Sequence, residues 1–217
     1  MALSKVNFNS LNLTPTASKT VVFNSNNNGI EAGDVGGSMV LISELTASSS
    51  ATLSFTSGID STYKEYLFKF IDIHPATDDS RLTFQADTCT NTNYNITTTN
   101  SSFRAYHTEA DDGASLDYQT GNDLAQGTGF QHLFSYINTD ADMSCAGTLH
   151  LFNPSSTNFV KNFLFRGISP YPSSDSDGMK DQLVAGYANT TSAVNAIQFK
   201  MLSGNTDAGT IKMYGVS

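Results

Sequence analysis

The clearest grouping of chemically capable side chains is an alternation of oxygen-bearing residues at Asn138, Asp140 and Asp142. Amide and carboxylate oxygens are the ligands that calcium prefers, and a tight loop can bring such oxygens together. Residues 175–178 could do the same, but neither loop has the downstream glutamate of an EF-hand. Aspartate is also a common turn residue, because its side chain bonds its own backbone. The pattern therefore leaves two readings open: turns, which the aspartate-rich composition favours, and a calcium site at Asn138, Asp140 and Asp142.

Motifs of the common enzyme classes do not occur in the sequence. There is no GxSxG elbow, no HExxH, no P-loop and no dinucleotide fingerprint,. The histidines at 74, 107, 132 and 150 each fall in or at the end of a predicted strand, which favours structural roles over a zinc or cupin-type site. We therefore predict a non-enzymatic protein with no catalytic residues and no cofactor. A β-sandwich lyase or depolymerase is the enzyme alternative, and it would need a cleft with two working acid, histidine or tyrosine side chains.

Charge is scarce and its balance is acidic. Charged residues make up 14% of the chain, against about 25% in an average protein, and the formal net charge is -9. A surface that binds nucleic acid or an anionic membrane needs clustered lysine and arginine, whereas the basic residues here are scattered singly. The sequence therefore argues against both of these partners.

The two cysteines and the first ten residues indicate whether the protein is secreted. Cys89 and Cys145 belong to no CxxC pattern, and we predict two buried free thiols, since a disulfide requires that their strands be adjacent,. The first ten residues have no apolar stretch of the signal-peptide type. Secretion by an ordinary route is therefore not expected.

The chain divides by composition at about residue 37. Residues 1–37 are polar and rich in asparagine and glycine, with one short strand predicted at 20–23, and we interpret them as an extended arm that orders on assembly,. Residues 38–217 consist of short apolar runs with period-two alternation, separated by turns. The alternative for the first segment is a flexible tail.

The alternating runs predict about ten strands in the second region. We place strands at 39–42, 51–56, 63–73, 81–86, 103–107, 130–137, 147–152, 158–168, 183–187, 196–202 and 210–214. The strand at 63–73 is apolar on both faces, which predicts a central position. A short helix is considered at 122–127, and the last two strands are predicted to form a hairpin.

This pattern predicts an all-β fold: a jelly-roll-like antiparallel β-sandwich with an extended N-terminal arm. Short strands at sandwich spacing without a glycine-periodic repeat argue against a propeller or solenoid. An immunoglobulin-like sandwich is the alternative, although the chain has no tryptophan for the core of such a domain,.

Six stretches of the second region resemble a known group of proteins. They are residues 58–63, 74–78, 103–107, 149–157, 185–205 and 209–215. Together they are similar to virion structural proteins, of the capsid decoration or tail fibre type, from tailed phages that infect cyanobacteria and other aquatic bacteria. The resemblance covers roughly residues 38–217 and carries over no catalytic residues.

The resemblance implies a structural protein on the exterior of a phage particle, assembled in the host cytoplasm. We expect capsid decoration, because the chain is short for a receptor fibre, with a tail fibre protein nearly as well supported. The expected partners are copies of the chain itself, with a trimer favoured, and major capsid or tail proteins. A carbohydrate-binding module that recognises host glycans is the alternative, with tyrosines 94, 118, 171 and 187 as candidate sugar contacts.

Overall fold

The structure is a computed structural model, and it describes residues 19–23, 30–34, 39–88, 93–171 and 177–217. The chain divides into two compact units, Met1–Ser38 and Met39–Ser217. In the described part of the first unit, strands β1 (Lys19–Phe23) and β2 (Ile30–Asp34) pair antiparallel. The strand predicted at 20–23 is confirmed, and its partner β2 was not predicted.

The second unit is built from strands in two antiparallel sheets. In chain order they are β3 (Met39–Thr46), β4 (Leu53–Phe55), β5 (Glu65–Pro75), β6 (Leu82–Asp87), β7 (Thr98–Thr108), β8 (Ala114–Tyr118), β9 (Gln131–His132), β10 (Cys145–Phe152), β11 (Lys161–Tyr171), β12 (Gly178–Ala188), β13 (Ala196–Met201) and β14 (Thr206–Val216). The larger sheet has eight strands in the order β3-β14-β5-β10-β11-β12-β7-β8. The smaller sheet has four, in the order β4-β13-β6-β9.

The pairing of these strands is nested, as in a jelly roll. If β7, β8, β11 and β12 are set aside, the first remaining strand pairs with the last, the second with the second-last, and so on inward: β3 with β14, β4 with β13, β5 with β10 and β6 with β9. A doubled-over hairpin rolled into two sheets gives this order. The other four strands extend the larger sheet beyond β10. The predicted all-β antiparallel sandwich is therefore confirmed, and the nested pairing is consistent with a jelly roll.

The core lies between the two sheets and is rich in phenylalanine. Phe199 of β13 is fully buried, and its ring centroid lies 5.2 Å from that of Phe70 and 5.5 Å from that of Phe68, both on β5. Phe55 of β4 and Phe84 of β6 complete the contact from the smaller sheet. Alternation places these side chains on the inner faces of their strands. The smaller sheet is thus held against the larger one through aromatic edge-to-face contacts.

The strand predicted at 63–73 is central, as expected. As β5 it pairs with β14 on one side and β10 on the other. Tyr66, Phe68 and Phe70 face the core, whereas Leu67 lies on the opposite face and is nevertheless only 6% exposed. An apolar run on both faces therefore indicated a strand with neighbours on both sides.

Three local predictions are wrong. Residues 122–127 form no helix, because their backbone bonds the start of β7 instead, with Thr98 N donating to Gly127 O at 2.7 Å. The strand predicted at 130–137 is reduced to β9, since the chain bends after His132 and buries both Leu133 and Phe134. The last two strands are not a hairpin: β13 lies in the smaller sheet and β14 in the larger one. Residues 202–205 therefore cross between the sheets.

Two facing glycines make room for a buried ring. Gly147 of β10 pairs with Gly167 of β11, and Phe134 packs over both. A Cβ atom on Gly167 would lie 2.5 Å from Phe134 Cε1 and 2.5 Å from Phe165 Cζ. Neither ring can withdraw easily, because each is fully buried and the two centroids are 5.0 Å apart.

We expect Gly167→Ala to lower the free energy of unfolding by about 1–3 kcal/mol through overpacking. Gly129→Ala is the matched control, since no heavy atom lies within 4 Å of its added Cβ. Urea unfolding followed by far-UV circular dichroism measures both variants. Equal stability of the two variants would show that the Phe134 ring moves without cost.

Candidate functional site

The predicted calcium residues lie in the segment that leads into β10. Asn138 Oδ1 accepts a hydrogen bond from Asp79 N at 3.2 Å, and the backbone oxygen of Asp140 accepts one from Met143 N at 2.9 Å. The Asp140 and Asp142 side chains are exposed, and Asp142 lines two adjacent clefts of about 330 and 350 Å³. In the described residues no group of three histidine, cysteine or acidic side chains could hold a metal ion. Calcium at Asn138, Asp140 and Asp142 stays a prediction, and residues 175 and 176 of the second loop lie outside the described part.

The four histidines make local contacts. His150 Nδ1 lies 2.5 Å from Glu65 Oε1, and His107 Nε2 lies 3.1 Å from Asp111 Oδ1. His132 Nδ1 lies 3.1 Å from Asn122 Oδ1, and His74 Nε2 lies 3.3 Å from the backbone oxygen of Asp140. Each ring therefore has its own hydrogen-bond partner, as the structural interpretation predicts.

Cys145 is a buried free thiol, as predicted, whereas Cys89 lies outside the described residues. Burial raises the pKa of the Cys145 thiol to about 12, and the nearby Lys180 lowers it only in part. Since the thiolate is the reactive form, this cysteine is inert at neutral pH.

One surface of the second unit is the face of the eight-stranded sheet that points away from the smaller sheet, here called the outer face. One row of paired residues crosses six strands of this face: Leu41, Tyr214, Leu67, His150, Leu164 and Ala185. All of these side chains except the histidine are apolar or aromatic. Leu41 is 49% exposed and Leu164 is 39% exposed. The register of the strands therefore joins residues that are distant in sequence into one apolar row.

Charged side chains on the outer face are paired with each other. Arg166 donates to both carboxylate oxygens of Asp181, at 3.1 and 2.7 Å, and Lys212 Nζ lies 3.0 Å from Glu44 Oε2. Each of these carboxylates raises the pKa of its cationic partner. Lys69 Nζ lies 5.5 Å from the centroid of the Tyr214 ring. These pairs neutralise the charge around the apolar row, although the whole chain carries a net charge of -9.

The candidate sugar-binding tyrosines do not share one surface. Tyr118 and Tyr187 occupy outward positions on β8 and β12, as their pairing with Phe103 and Thr99 shows. Tyr171 points to the opposite side of the sheet, where it stacks on Tyr106 with centroids 4.7 Å apart. The structure thus separates these tyrosines rather than joining them into one aromatic platform.

Two features of the surface were missed by reasoning from the sequence. The outer row was missed because it depends on strand register, which no local pattern specifies. Strand β8 was also missed, although its alternation of Ala114, Leu116 and Tyr118 is a period-two signal. Its apolar side chains are exposed, with Leu116 at 72%. In this edge strand the alternation therefore does not mark a core face.

The described part of the chain contains no helix long and apolar enough to cross a membrane. No protein-family model, curated protein or solved structure matches the chain.

Proposed function

We propose that this protein is a non-enzymatic structural component of the exterior of a tailed bacteriophage particle, where it decorates the capsid and associates with copies of itself through the outer face. The observation that carries this proposal is the apolar row on the outer face, in which Leu41 and Leu164 are exposed, Tyr214, His150 and Ala185 are half-buried and Leu67 is buried. Contiguous apolar surface on a soluble domain is typical of a protein–protein interface. The resemblance to virion structural proteins supplies the setting.

Charge favours a second copy as the occupant of this face. Two molecules with a net charge of -9 repel each other, so they approach best through a surface without net charge,. The outer face meets this condition: Glu44, Glu65 and Asp181 are balanced by the side chains of Lys69, Lys212 and Arg166. Closed symmetry is the norm for such assemblies, and we favour a trimer.

We expect Leu164→Glu to convert the oligomer into a monomer, because it places a negative charge within the apolar row, between His150 and Ala185,. Leu164 is 39% exposed in the single chain, so the folded subunit should tolerate the change. Size-exclusion chromatography with light scattering of the full chain measures the effect.

Leu202→Glu is the matched control, since Leu202 is 58% exposed and lies outside the eight-stranded sheet. It should keep the oligomeric state of the wild type. A wild-type chain that is monomeric at every concentration would contradict self-association. Proteomics of separated head and tail fractions from the particles of the encoding phage then tests the location, with a head signal expected for decoration.

A tail fibre protein, or its carbohydrate-binding host-recognition module, is the second candidate. It is favoured by the edge formed by β7 and β8, where Tyr118 is 54% exposed beside Phe103 and Leu116. Exposed aromatic side chains combine an apolar face with a polar tip, which suits sugar rings. Recovery of the chain in the tail fraction together with a positive glycan array would favour this candidate over capsid decoration.

A further inference from the structure

Three of the chain's 11 lysine and arginine side chains converge on the inner side of the larger sheet. Together with the tyrosines around them they form what we call the basic cluster: Arg81, Arg104, Lys180, Tyr106, Tyr136 and Tyr171. Lys180 on β12 pairs with Tyr106 on β7 and with Ser169 on β11, so these strands present one continuous surface. Arg81 and Tyr136 approach that surface from the segments before β6 and after β9.

Aromatic rings hold the cations of the basic cluster in place. The guanidinium carbon of Arg81 lies 4.3 Å from the centroid of the Tyr136 ring, and Lys180 Nζ lies 5.8 Å from the same centroid. On the other side, Lys180 Nζ and the guanidinium carbon of Arg104 each lie 5.7 Å from the Tyr171 ring centroid. The cations and rings therefore alternate through contacts of the cation–π type.

The positive charge of the basic cluster is poorly neutralised by the protein. Among the described residues, neither Arg81 nor Lys180 forms an ion pair, and Arg104 Nε reaches only Asp117 Oδ2, at 3.8 Å. Lys180 is fully buried. Burial is the main cause that lowers the pKa of Lys180 to about 7. The charges of Arg104 and Arg81 lower this pKa further, whereas Cys145 and Asp79 raise it. Like charges held together in a desolvated place are unfavourable unless an anion joins them.

Hydrogen-bond donors at the same place have no partner within the described part of the chain. There, Arg104 Nε and Asn122 Nδ2 are buried atoms without a hydrogen bond, and Asn122 is only 5% exposed. Asn122 belongs to the cluster's border, because its Oδ1 accepts from Arg81 Nη1 at 3.3 Å. The hydroxyls of Ser135 and Ser169 on either side of Lys180 are likewise unpartnered. Buried donors without partners are costly, and a bound oxygen-rich group would satisfy them.

Tyr136 shapes the solvent-facing side of the cluster. Its backbone adopts a left-handed conformation with φ of 55°, which is strained for a bulky residue,. This conformation is kept by Lys180, whose Nζ donates to the backbone oxygens of Ser135 and Tyr136. The ring of Tyr136 is 40% exposed, so the cluster reaches the surface there. Strain of this kind concentrates at ligand-binding sites.

We propose that the basic cluster is a binding site for a small oxyanion, a carboxylate or phosphate group that is either free or carried on a sugar. The guanidinium groups of Arg81 and Arg104 provide planar, charge-assisted donors that match such a group. Lys180 positions Tyr136, because its Nζ donates to the backbone oxygens of Ser135 and Tyr136. This site is separate from the outer face, so the inference does not rest on the proposed function.

Isothermal titration calorimetry of the full chain tests the inference, with inorganic phosphate, acetate, D-glucuronate and D-glucose as probes. We expect heat of binding from at least one of the anions and none from D-glucose. Arg81→Gln and Arg104→Gln should each weaken anion binding by about tenfold or more, because each removes hydrogen bonds to a charged group. Lys64→Gln is the matched control and should bind as the wild type does, since Lys64 is exposed, precedes β5 and belongs to neither the basic cluster nor the outer face.

The relative affinities distinguish the two sources of the anion. Glucuronate binding about tenfold or more tighter than acetate supports a group carried on a sugar, whereas equal binding of the anions supports a free anion. If a variant fails to fold, the Nε–H resonances of Arg81 and Arg104 in the wild-type protein provide a second measurement, and both should shift on anion addition. The inference is overturned if no anion gives heat of binding, or if anion binding is unchanged in both arginine variants.

Discussion

Replacing Phe199 with alanine is expected to lower the free energy of unfolding by about 3–5 kcal/mol. Phe199 is fully buried and lies between the sheets, with ring centroids of Phe68, Phe70 and Phe55 at 5.5, 5.2 and 6.3 Å. Truncation removes buried apolar area and leaves a cavity that four strands border. The rings around it belong to two different sheets, so they cannot close the cavity without moving one sheet relative to the other.

Phe159→Ala is the matched control for this prediction, because it makes the same chemical change at a side chain that is 70% exposed. Its effect should stay within about 0.5 kcal/mol. Urea unfolding of both variants is followed by far-UV circular dichroism, since the chain has no tryptophan. A loss of less than about 1 kcal/mol for Phe199→Ala would mean that the core relaxes around the cavity.

Lys180 is expected to contribute a rise in stability of about 2–3 kcal/mol between about pH 7.5 and 9.5, against which the raised pKa of Cys145 acts in the upper part of the range,. Burial lowers the pKa of Lys180 to about 7 in the folded chain, whereas an unfolded lysine keeps its ordinary value. Above pH 7 the folded state therefore has a neutral amine while the unfolded state still binds the proton. The linkage relation then makes folding more favourable as the pH rises, until the unfolded lysine also loses its proton.

Lys180→Met should remove this rise, because methionine carries no proton in either state. Lys212→Met is the matched control: Glu44 raises the pKa of Lys212, so that lysine stays charged across the window and the slope should persist. Unfolding free energies are compared at several pH values in amine buffers with chloride as the counter-ion, so that no oxyanion occupies the basic cluster. Parallel pH profiles of wild type and Lys180→Met would contradict a neutral, buried Lys180.

These two predictions concern two different parts of one sandwich. Around Phe199 the space between the sheets is filled with aromatic rings, as in an ordinary core,. Where β7, β11 and β12 extend the larger sheet, the inward positions include Ser102, Lys180 and Gln182, each almost fully buried. The nested strands of the two sheets enclose the aromatic core around Phe199. The added strands β7, β11 and β12 carry the buried polar positions, which is where the basic cluster lies.

Much of the fold could be predicted from the sequence, because period-two alternation is a local property of the chain. The strand predicted at 63–73 became β5, and the run Ile197, Phe199 and Met201 does face the core. The all-β class, the sandwich and the turns between strands follow from patterns of this kind. Strand ends differed by several residues, as for β7, which begins at Thr98 although the prediction began at residue 103.

The prediction that depended on which strands pair with each other was wrong. A turn between two strands suggests a hairpin, yet Ser203 and its neighbours connect different sheets: β13 lies between β4 and β6, and β14 lies between β3 and β5. The candidate calcium residues were grouped by spacing alone; Asn138 Oδ1 accepts a hydrogen bond from Asp79 N, and calcium at this loop stays a prediction. Spacing shows which side chains are near in the chain. It does not show which backbone groups will compete for them.

The sequence by itself determined the acidic, charge-poor, all-β character of this protein, because composition and alternation act within a few residues. Only the tertiary structure decided which side chains meet. The apolar row from Leu41 to Ala185 exists because six strands pair in one register. Arg81, Arg104 and Lys180 look like isolated charges in the sequence, and folding brings them together because β7 and β12 pair in the larger sheet and the segment before β6 approaches the inner side of these strands. Strand register and sheet packing are long-range properties, so no local pattern could have specified either surface.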